Sequence, residues 1–404
     1  MGDIEEMRSW RPVVQAATAV LLAVALLSAC SSGADDEDGG GSTAPADLAF
    51  ADDGDADGEN LPGVVEPPPD DSGLPPVTTI PGPAGGAPDS TYTGLLGRLD
   101  PDEELVGPAS LPPAVIPGRL PLTGLPGATP NRPAIVVKID NGAAAVPQTG
   151  LNAADIVIEE EVEGGVSRFA AVFHSNSSSV GPVRSGRTTD VALVSSLGRP
   201  VLLYSGANDM TEWIIRAQPH ITNHSHATSS GYWRDEDRRA PSNLYTHTGP
   251  HWAAVDGDPP PPQFAYRLDG EPAGGTPVSS LEIDYPASQA AWTWEDDQWV
   301  RSQRGSVHEL TDDGPVTAAN VVVIEAKRVG TGMFDSAGGP VPEFLYVGTG
   351  PATVFTAGRR FDGFWTKPSL TSVATLTTAD DEVIELTPGR TWIQLIEQDS
   401  GYSG

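Results

Sequence analysis

The fold is decided by AIVVKID (134–140), IVIEEEV (156–162) and RFAAVFH (168–174), three short apolar runs that follow one another closely. Each run is rich in β-branched or aromatic side chains and is bounded by turn-forming residues, which is typical of buried strands. The Gly164-Gly165 pair separates the second run from the third. It predicts a hairpin between them.

Helical patterns alternate with strands further along the chain. Residues 188–197 and 210–217 predict two short helices, and 200–205 predicts another buried strand between them. Because strands interleaved with helices are typical of α/β layers, we predict an α/β domain over residues 119–260.

From residue 257 onward, the pattern of alternating strands and helices ends. The stretch GDPPPPQ (257–263) fits neither a helix interior nor a central strand, and it predicts a boundary. Beyond it, short strand-like runs are separated by turn pairs such as Asp296-Asp297. We therefore predict an α+β chain, in which a mostly antiparallel β domain over 261–404 follows the α/β domain.

The segment from 31 to 118 has the composition of an unfolded tether. It holds eighteen Asp and Glu against one Arg, a net charge of −17 out of −32 for the chain, among many Gly, Ser and Pro residues. Such a segment buries too little apolar surface to offset its conformational entropy. We predict a disordered acidic spacer, with a binding tail for a cationic partner as the alternative.

The amino terminus has the layout of an export signal. Arg8 and Arg11 precede the apolar run 13–29, and the polar tether follows it. The last residues of the leader, Leu27-Ser28-Ala29-Cys30, resemble a bacterial lipobox, in which the cysteine thiol receives a diacylglyceryl group. Cys30 is the single cysteine of the chain. We predict a signal peptide over 1–30, translation starting at Met1 or Met7, and acylation that fixes the protein to the outer face of the cell membrane. The alternative is an uncleaved transmembrane helix.

Composition excludes several classes of partner. The chain has only three lysines, and its net charge is −32. Nucleic-acid binding requires a basic patch, so we expect none. No phosphate-binding loop or nucleophile elbow is present, and we predict no cofactor.

Eight segments resemble, in order, hallmark stretches of the YerB-like lipoprotein family. They are PLTGLP (121–126), VVKIDN (136–141), the run 147–175, VGPVRSGR (180–187), GYWRDEDRRAPSNLYT (231–246), TAANVVVIE (317–325), GRRFDGFW (358–365) and LTPGRTWIQL (386–395). The resemblance implies an exported bacterial lipoprotein with paired amino- and carboxy-terminal domains of unknown function. The fifth segment departs from the family pattern, because Ser242 stands where a histidine usually follows Ala-Pro. Any role of that histidine is therefore absent or moved here.

Arg184 and Arg187 are the first candidate binding residues. They lie in a Gly/Pro loop directly before the first predicted helix. Helix amino termini and guanidinium groups both attract anions, so this loop predicts a carboxylate or anion pocket. The alternative is internal pairing of both arginines with Glu159, Glu160 or Glu163.

Paired carboxylates give a second candidate chemistry. Asp140, Glu159 and Glu163 follow or lie within the predicted strands. Two carboxylates with different pKa values could hydrolyse a glycosidic bond as acid and base. The alternative is structural: Asp140 caps a turn and the glutamates form salt bridges.

Five of the seven histidines fall between His220 and His251, at spacings compatible with zinc ligands on helices. Their turn-forming surroundings argue against helices, so we predict no metal site. The same region combines aromatic residues with arginines. They are Trp213, Tyr232, Trp233, Tyr245, Trp252, Arg234, Arg238 and Arg239. Aromatic faces stack on sugar rings and arginines hold carboxylates, so these residues could form a glycan or peptide groove. Core packing of most of the aromatic residues is the default interpretation.

We therefore predict a non-enzymatic envelope lipoprotein that binds a cell-wall glycan, peptide or envelope protein. The predicted binding residues are Arg184, Arg187, Arg234, Arg239, Asn243 and Tyr245. The alternatives are a cell-wall hydrolase that uses Asp140 with Glu159 or Glu163, and a structural adaptor for another membrane protein.

Overall fold

The computed structural model describes residues 80–81, 91–99, 113–268, 270–311, 313–335 and 338–404. The leader, Cys30 and most of the predicted tether lie outside the described residues.

Strands dominate the part of the chain that is described. In chain order they are β1 (Ile80–Pro81), β2 (Thr91–Tyr92), β3 (Ile135–Asp140), β4 (Ile156–Glu161), β5 (Ser167–Phe173), β6 (Ser179–Val180), β7 (Val201–Leu203), β8 (Thr222–Asn223), β9 (Tyr232–Arg234), β10 (Leu244–His247), β11 (Thr276–Pro277), β12 (Ser280–Tyr285), β13 (Ser288–Glu295), β14 (Gln298–Gln303), β15 (Ser306–Val307), β16 (Thr317–Ala318), β17 (Asn320–Ala326), β18 (Arg328–Phe334), β19 (Pro340–Phe344), β20 (Gly348–Thr356), β21 (Arg359–Lys367), β22 (Thr375–Thr377), β23 (Thr391–Glu397) and β24 (Tyr402–Ser403).

The helices of the described residues are short. They are α1 (Leu95–Arg98), α2 (Thr189–Val194), α3 (Asp209–Arg216) and α4 (Thr248–Ala253), with single 3₁₀ turns at Ala143–Ala145, Leu151–Ala153, Glu163–Gly165 and Ser195–Leu197. The two helices predicted from sequence are confirmed as α2, extended by its 3₁₀ turn, and α3. In α3, the Asn208 side chain caps the first turn by accepting a hydrogen bond from the Thr211 N–H at 2.8 Å.

One mixed sheet of eleven strands forms the centre of the fold. Its order is β11-β21-β20-β17-β23-β4-β5-β3-β7-β8, and β22 pairs with β21. The hairpin predicted around Gly164-Gly165 is confirmed, because β4 and β5 pair antiparallel and both glycines have a φ of 71°. A Cβ is strained at such positive φ values, so this turn requires glycine.

The sheet joins distant parts of the chain. Strand β23 pairs parallel with β4, placing Thr391 opposite Ile156 and Gln394 opposite Glu159. The proline-rich stretch 257–263 contains no strand or helix. Strands from both sides of this stretch thus share one backbone hydrogen-bond ladder, and the domain limits drawn from sequence stay a prediction.

The prediction of an amino-terminal α/β domain needs correction. The described part of the chain is mainly β, with 40% of its residues in strands and 12% in helices. Sequence periodicity identified the strands but not their partners. The carboxy-terminal half supplies the parallel neighbour of β4, and an antiparallel hairpin supplies its other neighbour. The parallel crossovers that define an α/β layer are therefore not the main connection here.

Two apolar cores cover the two faces of the central sheet. On one face, residues such as Val136 and Ile158 pack against α2 and α3 through Val194 and Ile214. On the other face, Val137 and Phe169 belong to a core shared with Trp292 of the second sheet. That second sheet is antiparallel, in the order β15-β14-β13-β12-β24 with β16 paired to β14. The predicted turn at Asp296-Asp297 joins β13 to β14, and both residues have positive φ.

Residues 91–99 differ from the unfolded tether expected up to residue 118. Tyr92 is completely buried, and its hydroxyl, 2.9 and 2.7 Å from the two carboxylate oxygens of Glu343, donates its one hydrogen to that carboxylate. The Leu95 N–H also donates to Glu343, at 3.2 Å. The segment YTGLLG carries enough apolar surface to pack locally, although the composition around it is polar.

Candidate functional site

The first cluster of chemically capable side chains lies between the two sheets. Arg301 Nη2 donates to both carboxylate oxygens of Glu159, each at 2.8 Å. Ser167 Oγ donates to Glu159 Oε1 at 2.7 Å. Glu159 is 1% exposed and Arg301 is 0% exposed, so the pair is sealed from solvent. Neither oxygen of Glu159 is available to a substrate in this arrangement.

This cluster continues through a buried imidazole. Arg301 Nη1 donates to His308 Nδ1 at 2.7 Å, and His308 Nε2 therefore donates to Gln148 Oε1, also at 2.7 Å. Gln148 Nε2 donates in turn to Asn141 Oδ1 at 3.1 Å. Burial, followed by the positive charge of Arg301, lowers the pKa of His308 to about 2. The imidazole is thus a neutral link between the two halves of the chain.

A second buried cluster lies on the opposite face of the central sheet, beside α2. Lys138 Nζ lies 2.5 Å from Glu160 Oε1 and 2.7 Å from Asp190 Oδ1, and all three side chains are fully buried. Burial opposes the charge on Lys138, but Asp190 and Glu160 together raise its pKa. Glu159 and Glu160 point to opposite faces, as strand alternation predicts.

Arg187 belongs to this second cluster rather than to an open pocket. Its Nε and Nη2 donate to Glu163 Oε2 at 2.8 and 2.6 Å. The Asp190 carboxylate accepts a hydrogen bond from the Arg187 N–H at 2.7 Å, at the amino end of α2. The chain's own carboxylates therefore lie against the guanidinium and the helix terminus that we expected to hold an external anion.

Arg184 lies outside β3 but runs beside its carboxyl end, near Asp140, and its N–H donates to Lys138 O. Arg184 Nε is 3.8 Å from Asp140 Oδ2, which also accepts a hydrogen bond from Ser242 Oγ at 2.6 Å. Asp140 Oδ1 accepts from the Gly142 N–H at 2.9 Å, so Asp140 does cap the turn after β3. Ser242, the position where this chain departs from the family pattern, is thus a direct partner of Asp140.

A stacked aromatic pair with one exposed and one buried ring lies on the adjoining ribbon of β9 and β10. The rings of Trp233 and Tyr245 stack with centroids 6.1 Å apart and planes 24° apart, and Trp233 is 43% exposed. Arg238 donates to the Tyr245 hydroxyl and, at 3.0 Å, to Ala145 O. Arg234 donates to Asn243 Oδ1 at 2.8 Å. We call Trp233, Tyr245 and these two arginines the aromatic shelf.

The structure divides the six predicted binding residues. Arg234 and Arg239 are exposed, whereas Arg184, Arg187, Asn243 and Tyr245 are buried. The sequence did not single out Arg301, because an isolated arginine in an antiparallel strand carries no local signal of a buried partner. Trp233 was visible only as one aromatic residue among several.

One pocket of the described part of the chain is lined by none of the shelf residues. Its volume is about 300 Å³, and its walls include Phe264, Leu376 and Ile384. None of the predicted site residues lines this pocket. Its apolar residues Leu376 and Ile384 belong to the core that contains α2 and α3.

The histidines are split among separate contacts. His220 Nε2 lies 2.6 Å from Ser195 Oγ, and the His247 side chain accepts from the Gly249 N–H at the start of α4. His224 and His251 face each other through their Nδ1 atoms, 3.2 Å apart. Burial, followed by the proximity of His224, lowers the pKa of His251 to about 4.

The fold is mainly β, and strands from before and after the proline-rich stretch 257–263 share one mixed sheet. The buried ion pair between Glu159 and Arg301 also joins these two segments. Family models for the amino- and carboxy-terminal domains of DUF3048, a protein of unknown function, match residues 122–259 and 281–393. The two matches together span more than half of the chain, which belongs to this YerB-like family.

The YerB protein of Bacillus subtilis agrees with this assignment in both sequence and structure. "Putative lipoprotein YerB" of strain 168 is 26% identical in an alignment of 301 residues, which covers 69% of this chain and 86% of that protein. The crystal structure of the YerB protein matches with a TM-score of 0.61 at 22% identity, covering 71% of this chain and 99% of that one. The structural match shows a common fold. None of the helices in the described part is long and apolar enough to cross a membrane.

Proposed function

We propose that this chain is an exported, lipid-anchored envelope protein that binds a carboxylate-bearing cell-wall glycan or peptide on the aromatic shelf. The observation that carries the proposal is the exposure of Trp233, whose ring stacks on the buried ring of Tyr245, with Arg238 on the Tyr245 hydroxyl.

The chemistry of the shelf fits such a ligand. Sugar rings present C–H groups that pack on an indole face, and the exposed ring of Trp233, stacked on the buried Tyr245, offers a rigid flat surface for this contact. Arginine guanidinium groups bind carboxylates through paired N–H donors. Cell-wall polymers carry both sugar rings and peptide carboxylates, so a single ligand could use both features.

The neighbouring contacts support a preformed site. Arg238 is fixed by the Tyr245 hydroxyl and by Ala145 O, and Arg234 is fixed by Asn243. Side chains that are already ordered lose less conformational entropy when a ligand binds. Asn243 and Tyr245 support the shelf from inside, while Arg234 and Arg239 face outward.

Lipid anchoring is the second part of the proposal. Its support is the cysteine at the end of the apolar leader, together with a relative named as a lipoprotein. An acylated Cys30 inserts its chains into the bilayer by hydrophobic burial. The folded part of the protein then acts outside the membrane.

Binding is tested with purified, insoluble cell-wall sacculi and residues 30–404 carrying Cys30→Ser, which have neither the apolar leader nor acyl chains. We expect co-sedimentation that weakens about tenfold with Trp233→Ala, in line with the loss of one aromatic stacking contact. The matched control is Phe364→Ala, because Phe364 is 46% exposed on a different part of the surface. Equal co-sedimentation by the Trp233 and Phe364 variants would overturn the shelf as the binding surface.

Anchoring is tested in cells by fractionation and labelling with palmitate. Wild-type protein and a Ser31→Ala control should remain with the membranes and take up label. A Cys30→Ser variant should do neither. Wild-type protein that never takes up label would rule out acylation.

A further inference from the structure

We propose that His224 and His251 form a two-histidine site for a divalent transition-metal ion of the zinc type, with water completing the coordination shell. The two residues are separated by 27 positions and approach each other only in the folded chain. This site is independent of the proposed ligand-binding shelf.

The hydrogen bonds around His251 fix which ring nitrogen carries the proton. The Thr246 hydroxyl donates its one hydrogen to Gly231 O at 2.9 Å. Thr246 Oγ1 must therefore accept from His251 Nε2, which lies 2.8 Å away. His251 Nδ1 consequently carries the lone pair, and it points toward His224 Nδ1. Metal-binding histidines are usually oriented in this way by a hydrogen bond from their other nitrogen.

The spacing of the two nitrogens fits a tetrahedral ion. An ion held about 2.0–2.1 Å from each ligand nitrogen places the two nitrogens about 3.3 Å apart. The observed Nδ1 to Nδ1 distance is 3.2 Å. The distance between the two nitrogens therefore need not change when a metal ion replaces the shared proton, and the rings turn so that both lone pairs point at the ion.

The ligand set indicates the kind of ion. Imidazole nitrogen favours zinc, copper and nickel over magnesium and calcium, which prefer oxygen ligands. No group of three or more His, Cys, Asp or Glu residues with metal-binding geometry occurs in the described part of the chain. The remaining positions would be filled by water, as in sites that keep open coordination positions.

The position of the site suggests a structural effect on the ribbon. Thr246 and Tyr232 are cross-strand neighbours on β10 and β9, and the Tyr232 hydroxyl donates to His224 O at 2.5 Å. His251 belongs to α4. A bound ion would therefore tie the ribbon, α4 and the residue after β8 together.

The test uses the metal-free full chain carrying Cys30→Ser, titrated calorimetrically with Zn²⁺ in excess Mg²⁺, which occupies oxygen-rich surface sites. We expect one equivalent of zinc to bind and to raise the melting temperature, because an ion that binds only the folded state stabilises it. Titration with Co²⁺ should give the visible absorption of a tetrahedral, nitrogen-containing site.

The matched variants separate this site from the other histidines. His224→Ala should abolish the specific equivalent, and Thr246→Val should weaken binding roughly tenfold through the lost orientation of His251. His220→Ala should bind as the wild type does, because His220 contacts Ser195 instead. Circular dichroism checks that each variant is folded. No binding by the wild type, or unchanged binding by a folded His224→Ala variant, would overturn the proposal.

Discussion

Glu159 of β4 and Arg301 of β14 form a sealed ion pair, with one guanidinium nitrogen 2.8 Å from each carboxylate oxygen. Glu159 lies in the segment that matches the amino-terminal family model, and Arg301 in the segment that matches the carboxy-terminal one. The rings of Phe169, Trp292 and Trp392 surround the guanidinium at 5.3 to 6.0 Å. The pair therefore joins the two family segments at the centre of the shared core.

Breaking this pair on one side should be costly. Glu159→Gln leaves Arg301 as a buried charge without its carboxylate, and we expect the free energy of unfolding to fall by about 3–5 kcal/mol. Urea denaturation measures this loss, with Glu282→Gln on the exposed face of β12 as the control. Adding Arg301→Met should restore part of the stability. A loss below about 1 kcal/mol in Glu159→Gln would contradict the importance of the pair.

The docked segment 91–99 should detach when its aromatic anchor is removed. Tyr92→Ala deletes a fully buried ring and its hydrogen bonds to Glu343, a loss of about 3–5 kcal/mol for a packed aromatic residue. We expect the Leu95 and Leu96 amides, which donate to Glu343 and to the Tyr92 hydroxyl, to exchange with solvent much faster. Leu125→Ala is the control, since Leu125 is 41% exposed. Unchanged exchange would show that Tyr92 does not hold the segment.

Glu343 should make the protein less stable as the pH rises from acid to neutral. Burial, opposed by the hydrogen bond from Tyr92, raises the pKa of Glu343 from 4.5 to about 7. Between these values the folded state binds more protons than the unfolded state, so the contribution of Glu343 is present below pH 4.5 and is lost as the pH passes 7. The change is about 3 kcal/mol. Denaturation across this range should show it in the wild type and in Glu309→Gln, but not in Glu343→Gln.

Lys367 should act in the opposite direction at higher pH. Its Nζ is buried against the carbonyls of Leu370 and Ser372, at 2.8 and 2.5 Å, and burial lowers its pKa from 10.5 to about 7. Between those values the unfolded state binds more protons, so stability rises with pH. The full change is on the order of 5 kcal/mol. We expect Lys367→Met to flatten this part of the profile, while Lys327→Met, at an exposed position, keeps it. An identical rise in both variants would assign the effect to other groups.

The sequence by itself determined the local elements. Apolar runs of β-branched and aromatic residues located β3, β4 and β5, and the glycine pair at 164 and 165 located the hairpin between β4 and β5. These features depend on side-chain periodicity and backbone freedom, which neighbouring residues specify. The ordered family-like segments likewise identified the family before any contact was known.

Only the tertiary structure decided which elements and charges meet. The pairing of β23 with β4 depends on residues more than 230 positions apart, because Thr391 lies opposite Ile156. The partners of Arg301 and Arg187 also depend on which strands become neighbours, and a charged residue carries no local mark of its partner. The sequence left open whether Arg187 pairs internally and whether Asp140 caps a turn. The hydrogen bonds of Arg187 to Glu163 and of the Gly142 N–H to Asp140 favour these structural roles. Local sequence patterns thus determine the strands and turns, whereas the burial of charged side chains in a shared core depends on the packing of the whole chain.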